Sequence, residues 1–107
     1  MDVLVRIKRL VLRGAVRFTD KARDEMDLDG LTAEEVLESV INAPAILKTL
    51  RSTSPLRRYA GERLYVIKGR TYDGTVIYTK GAIHREAGSE TFYIFISSKL
   101  AAEDGRG

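Results

Sequence analysis

The sequence predicts an α+β domain in which N-terminal helices pack on one face of an antiparallel β-sheet. Apolar residues recur at helical spacing from Val3 to Ile41, whereas residues 64–99 form β-rich runs broken by Asp73-Gly74 and Ala87-Gly88-Ser89. The length of 107 residues, with 44% hydrophobic and 31% charged side chains, fits one buried core and argues against disorder. Residues 1–102 are therefore read as a single domain and 103–107 as a frayed polar tail.

The first helix follows from Val3, Leu4, Ile7, Leu10 and Val11, which fall on one stripe when wound at 3.6 residues per turn. Asp2 is placed to cap its start, and Gly14 to close it in the left-handed conformation. Val16-Arg17-Phe18 is a short extended segment. Thr19 or Asp20 then caps a short second helix from Lys21 to about Asp27, with Ala22 and Met26 as its inward pair and Asp29-Gly30 as its stop. Thr32-Ala33-Glu34-Glu35 is a capping box opening a third helix, whose apolar face is Val36, Leu37, Val40 and Ile41 and whose end is Asn42-Ala43-Pro44.

Residues 45–50 read as a short strand, and Arg51 to Glu62, rich in Ser, Arg, Pro and Gly, as an exposed loop. The Asp73-Gly74 pair suggests a two-residue hairpin turn, because both central residues of a type I′ turn need positive φ. That turn pairs Arg70 with Ile77 and Lys68 with Thr79, which mixes charged and apolar residues on both faces. A β-bulge near Gly69 or Gly81 would relieve the conflict. In the last strand, strict alternation turns Phe92, Ile94 and Ile96 one way and Tyr93, Phe95, Ser97 and Lys99 the other.

Several chemistries are disfavoured. The chain has no cysteine and a single histidine, His84, and its acids have no HExxH-type spacing, so neither a metal site nor a cofactor is expected. The acidic helices read as a solvated face. A Gly-x-Ser-x-Gly elbow and a strand–glycine-loop–helix phosphate motif are both absent. No apolar run reaches 18 residues, and Arg6, Lys8, Arg9 and Arg13 interrupt the N-terminal one, so neither a signal peptide nor a membrane span is expected and the cytoplasm is the expected location.

Charge is unevenly spread. Residues 20–38 hold eight acids against Lys21 and Arg23, while residues 48–85 hold nine bases against Glu62 and Asp73. The basic half could meet a polyanion, or simply be solvated. Lys48, Arg51, Arg57, Arg58, Lys80, Arg85 and Lys99 are candidate phosphate contacts, and Tyr65, Tyr78 or Tyr93 could stack on unpaired bases. His84 is either a participant or a structural strand residue. Such a set could also cleave RNA without metal, provided burial and neighbouring cations tune a lysine or tyrosine for proton transfer.

Ile7-Lys8-Arg9-Leu10-Val11 followed by Gly14-Ala15-Val16-Arg17-Phe18-Thr19 resembles the opening of the MqsR family of bacterial toxins. The order continues with a second helix ending near Leu28-Asp29-Gly30, a third containing Val40-Ile41, then Lys48-Thr49-Leu50, a hairpin, and a last strand ending Ile96-Ser97-Ser98-Lys99. The resemblance implies a RelE-like ribonuclease fold, messenger RNA as substrate, and a co-expressed antitoxin as partner. By position it implies Lys48, Tyr78 and Lys99 as catalytic residues. The family's catalytic glutamine has no counterpart, since the chain contains no glutamine, and the final hairpin is longer than in the type member. Two function classes therefore stand side by side: a toxin-type endoribonuclease, and a non-catalytic RNA-binding or protein-binding module.

Overall fold

The computed structural model describes residues 2–52, 62–85 and 91–102. It comprises three helices and a five-stranded mixed sheet. The elements are α1 (Val3–Leu12), β1 (Val16–Phe18), α2 (Asp20–Asp29), α3 (Ala33–Ile41), β2 (Lys48–Arg51), β3 (Arg63–Arg70), β4 (Val76–Arg85) and β5 (Thr91–Leu100). Arg57, Arg58, the expected turn at 87–89 and the tail at 103–107 lie outside the described residues. No helix among the described residues is long and apolar enough to cross a membrane.

Local chemistry sets the helices much as expected. The Asp2 carboxylate accepts from the Leu4 N–H at 3.1 Å at the start of α1. Thr19, rather than Asp20, caps α2 by accepting from the Ala22 N–H, so α2 starts earlier than the sequence suggests. Gly30, at φ 69°, ends it two residues later than expected. The capping box of α3 is fully formed between Thr32 and Glu35.

The sheet runs β1-β5-β4-β3-β2 and is antiparallel except at β1, which joins β5 in parallel. The expected all-antiparallel sheet is thus a mixed one. The short basic segment Val16–Phe18 supplies an edge strand, clamped by Tyr93 N–H to Ala15 O and Thr19 N–H to Phe95 O. The helices cover one face of the sheet. Leu4, Ile7, Leu10 and Val11 of α1, Ala22 and Met26 of α2, and Val36 and Val40 of α3 bury against Ile67, Ile77, Tyr93 and Phe95. Phe95 stacks on Phe18 and meets Tyr93 edge to face, with centroids 4.8 and 5.0 Å apart.

Two glycines permit this packing. A Cβ at Gly69 would sit 1.8 Å from the Ser39 carbonyl oxygen, so α3 rests directly on β3 there. A Cβ at Gly81 would sit 2.6 Å from both the Tyr93 ring and the Ile94 carbonyl oxygen. Gly69 therefore marks a close approach, and Gly81 is where the β4–β5 register shifts.

Register departs from expectation in two places. Arg70 pairs with Val76 and Lys68 with Tyr78, one residue away from the pairing a two-residue turn would impose. The Gly74 N–H bonds Thr71 O and the Thr71 N–H bonds Thr75 O, so Tyr72, Asp73 and Gly74 form a three-residue loop closed by a glycine at φ 93°. The Asp73 carboxylate gathers the Thr71 hydroxyl together with the Thr75 hydroxyl and N–H. Those bonds hold its pKa below the ordinary value.

The second departure is in β5. Lys80 pairs with Ser97 but Gly81 with Phe95, leaving Ile96 as an extra residue. A bulge inverts the alternation of everything beyond it. Lys99 consequently faces away from Tyr93 and Phe95, which strict alternation had placed on its own side.

β5 extends past β1, and α2 completes its exposed edge. The Glu25 carboxylate accepts from the Ser97 hydroxyl at 2.7 Å and the Ser98 N–H at 3.0 Å, and Asp29 accepts from the Leu100 N–H at 2.8 Å. Carboxylates four apart on a helix are spaced about as far as N–H groups two apart on a strand edge, roughly 6–7 Å. The acidic face of α2 is therefore partly structural and not merely solvated. Burial acts to raise the Glu25 pKa, but the bonds from Ser97, Lys21 and Ser98 outweigh it and leave the pKa lowered.

Candidate functional site

The face of the sheet opposite the helices carries the candidate site. Residues paired across neighbouring strands project from the same face, so the register identifies its occupants. One row reads Lys68, Tyr78, Lys99 across β3, β4 and β5. The next reads Lys48, Val66, Lys80 across β2, β3 and β4. No carboxylate lies in either row.

Tyr78 is the centre of this arrangement. Lys68 and Lys99 are its direct neighbours on the flanking strands, with paired Cα atoms about 5 Å apart in such ladders. The Lys99 ammonium lies 5.5 Å from the Tyr78 ring centroid, a cation–π contact that also fixes which way Lys99 points. Lys80 is two residues along β4 and hence on the same side as Tyr78. Lys48 shares the face but stands one row over and two strands away, flanking the cluster without touching the tyrosine. Tyr78, Lys80 and Lys68 are half-buried, while Lys48 and Lys99 are exposed.

Of the residues the family resemblance implied, Lys48, Tyr78 and Lys99 thus share one face, with Tyr78 and Lys99 in contact. The phosphate contacts expected from the sequence divide. Lys80 joins the cluster. His84 is on the same face but six residues along β4, roughly 20 Å away, with its Nδ1 3.7 Å from the Glu62 carboxylate. Arg51 and Arg85 are at strand ends in register with Arg63 and Thr91, on the side that the helices cover.

The tyrosines divide as well. Tyr93 is fully buried in the core, and burial followed by the proximity of Tyr65 pushes its hydroxyl well above the ordinary range. Tyr65 is half-buried against the same core. Neither can stack on a base; among the three candidates only Tyr78 faces out.

Lys68 is the residue that the sequence reading missed. A two-residue turn would place it opposite Thr79, away from the tyrosine. The Thr71–Thr75 repeat around Asp73-Gly74 was the available signal, since a three-residue loop with glycine last moves Lys68 opposite Tyr78.

The far half of this face is different in kind. Leu50 pairs with Leu64 and Ala82 with Ile94 on this face, with Val66 two residues along β3 from Leu64. Val66 and Ala82 are almost completely buried yet belong to no part of the helix-side core. Arg17 at the β1 edge lies over the Phe92 ring, 4.1 Å from its centroid.

Chemically, the cluster offers cations for a phosphodiester, one aromatic ring for a base, and a phenolic hydroxyl for proton transfer. Among the described residues no group of three or more His, Cys, Asp or Glu is arranged to hold a metal ion. No family model, curated protein or solved structure matches this chain.

Proposed function

We propose that this protein is a toxin-type, metal-independent endoribonuclease of RelE-like fold, related to the MqsR family, that cleaves messenger RNA and is neutralised by a cognate antitoxin. The observation that carries the reading is Tyr78 flanked in register by Lys68 and Lys99 on the sheet face opposite the helices. The family-like order of elements supports it independently.

In this reading a single-stranded segment lies across the two rows. Lys48 and Lys80 hold flanking phosphates, and Lys68 and Lys99 face the scissile one. The 2′-oxygen attacks the adjacent phosphorus and its proton leaves to a base. The P–O5′ bond breaks, and the 5′-oxygen receives a proton from an acid, leaving a 2′,3′-cyclic phosphate and a 5′-hydroxyl. Tyr78 takes part in proton transfer, and Lys68 and Lys99 offset the negative charge that builds on the phosphorane.

Purified protein with messenger RNA and a chelator should release fragments ending in cyclic phosphate. Replacing Lys68 and Lys99 together with alanine should slow cleavage about a hundredfold or more, the scale of losing charge stabilisation at a reacting oxyanion. An inert wild type, or a double variant as fast as wild type, would sink the proposal.

A second reading is a non-catalytic RNA-binding module on the same face. The distance between Tyr78 and His84 favours it, because the only imidazole of the chain is remote from the lysines. It predicts association that weakens with salt, with a log–log slope of about −0.7 per phosphate contacted, and no fragments.

A further inference from the structure

On the helical side of the molecule, the last turn of α1, the α3 helix and the β3–β4 loop enclose a shallow groove. It is lined by Val11, Leu12, Leu37, Ile41 and Tyr72, with Glu34 and Glu38 along one wall. Val11 is buried and Leu37 and Ile41 are half-buried, so the floor is apolar and continuous with the core. Leu12 and Tyr72, by contrast, are 73% and 78% exposed.

These two exposed side chains sit on rigid supports. Leu12 belongs to α1 itself. Tyr72 is held at the wall because its N–H donates to the Glu38 carboxylate at 3.1 Å, and because Asp73 next to it ties the loop together. Large apolar side chains fixed in water around an apolar floor contribute little to folding and are the usual anchors of a protein interface. Glu34 and Glu38 are four apart on α3, where like charges repel, and among the described residues neither forms an ion pair.

We infer that this groove is the docking site for an amphipathic helix of a partner protein, with an apolar stripe for Leu12, Leu37, Ile41 and Tyr72 and lysine or arginine beside it for Glu34 and Glu38. The chemistry selects this occupant. An apolar channel between two helices accepts a third helix through residues spaced three and four apart, and the two glutamates, neither in an ion pair among the described residues, select a basic flank over an acidic one. The groove lies on the opposite side of the sheet from Tyr78, so its occupation leaves the lysine face accessible. The inference does not rest on nuclease activity.

The test is selection from a displayed library of helical peptides with randomised apolar and charged faces, using the intact chain as bait. The expected winners carry Leu, Ile, Met or Phe at three- and four-residue spacing with Lys or Arg alongside, and bind Leu12→Asp about tenfold more weakly than wild type. Glu34→Lys, which leaves Glu38 beside a lysine and the wall without net charge, should abolish the preference for basic flanks. Both positions are exposed, so the variants should fold, which circular dichroism would verify. Winners with acidic flanks, winners that bind Leu12→Asp as well as wild type, or no enrichment at all would overturn the inference. So would sedimentation of the free protein as a dimer that Leu12→Asp dissociates, because the groove would then belong to a second copy.

Discussion

The two faces of the sheet share the same strands but obey different rules. On the helix-covered face, Ile67, Ile77, Tyr93 and Phe95 are inside the core, and Gly69 and Gly81 are there because a side chain would collide with its neighbours. On the other face, Lys68 and Lys99 flank Tyr78, with Lys80 and Lys48 in the next row, and no packing need puts four cations together. Concentrating like charges costs stability, and the proposed function accounts for that cost by an anionic ligand on this face. The lesson is that a bulge at Ile96 and a three-residue turn at Tyr72–Gly74 serve both faces at once. Each keeps the core in phase while setting which lysine meets Tyr78.

The covered face is the less forgiving of the two. Gly69→Ala should destabilise the fold by more than about 3 kcal/mol, because the added carbon meets the backbone of α3 rather than a movable side chain. Urea unfolding with retention of the slope would measure it. A near-neutral result would mean that α3 is not seated on β3 as described.

A middle-sized effect belongs to the edge of β5. Glu25→Gln should lower stability by about 1–2 kcal/mol at neutral pH, by weakening the bonds to Ser97 and Ser98. The wild-type sign follows from a lowered pKa. The contribution of Glu25 is fully present above its unfolded-state value and is lost as pH falls through its folded-state value. Wild type should therefore lose stability as pH falls through the carboxylate range, with the loss completed only below the ordinary glutamate value of 4.5. Asp73 adds to the loss in the same direction. The Glu25→Gln variant should show a shallower loss, and two parallel pH profiles would count against the edge-capping role.

The smallest effect is expected at the far end of the face opposite the helices. His84→Asn should leave RNA cleavage or binding within about twofold, since His84 meets Glu62, 3.7 Å away, and not the lysine rows, and a half-exposed contact of this kind contributes little. A large loss there would extend the site along β4 and blur the division between its basic and apolar halves.

Much of the fold can be read from the residues in order. Asp2, Gly14, Gly30 and the Thr32–Glu35 box specify helix ends through bonds made within a few residues, and such bonds need no tertiary partner. The apolar stripes of α1 and α3 likewise declare their inward faces by spacing alone. Tyr65 and Tyr93, expected as stacking candidates, pack on the core side for the opposite reason. A strand tyrosine has two faces to choose from, and only the sheet's neighbours make the choice.

The sequence by itself therefore settles the α+β class, the helix boundaries to within a few residues, and the pool of bases from which a site could be drawn. The tertiary structure alone decides that Tyr78 lies between Lys68 and Lys99, that β1 is parallel to β5, and that Glu25 and Asp29 complete a strand edge. The physical reason is the two-residue period of a strand. A single extra residue, Ile96, transfers Lys99 from the core side to the site, and no local propensity records on which side of the sheet that residue will be inserted.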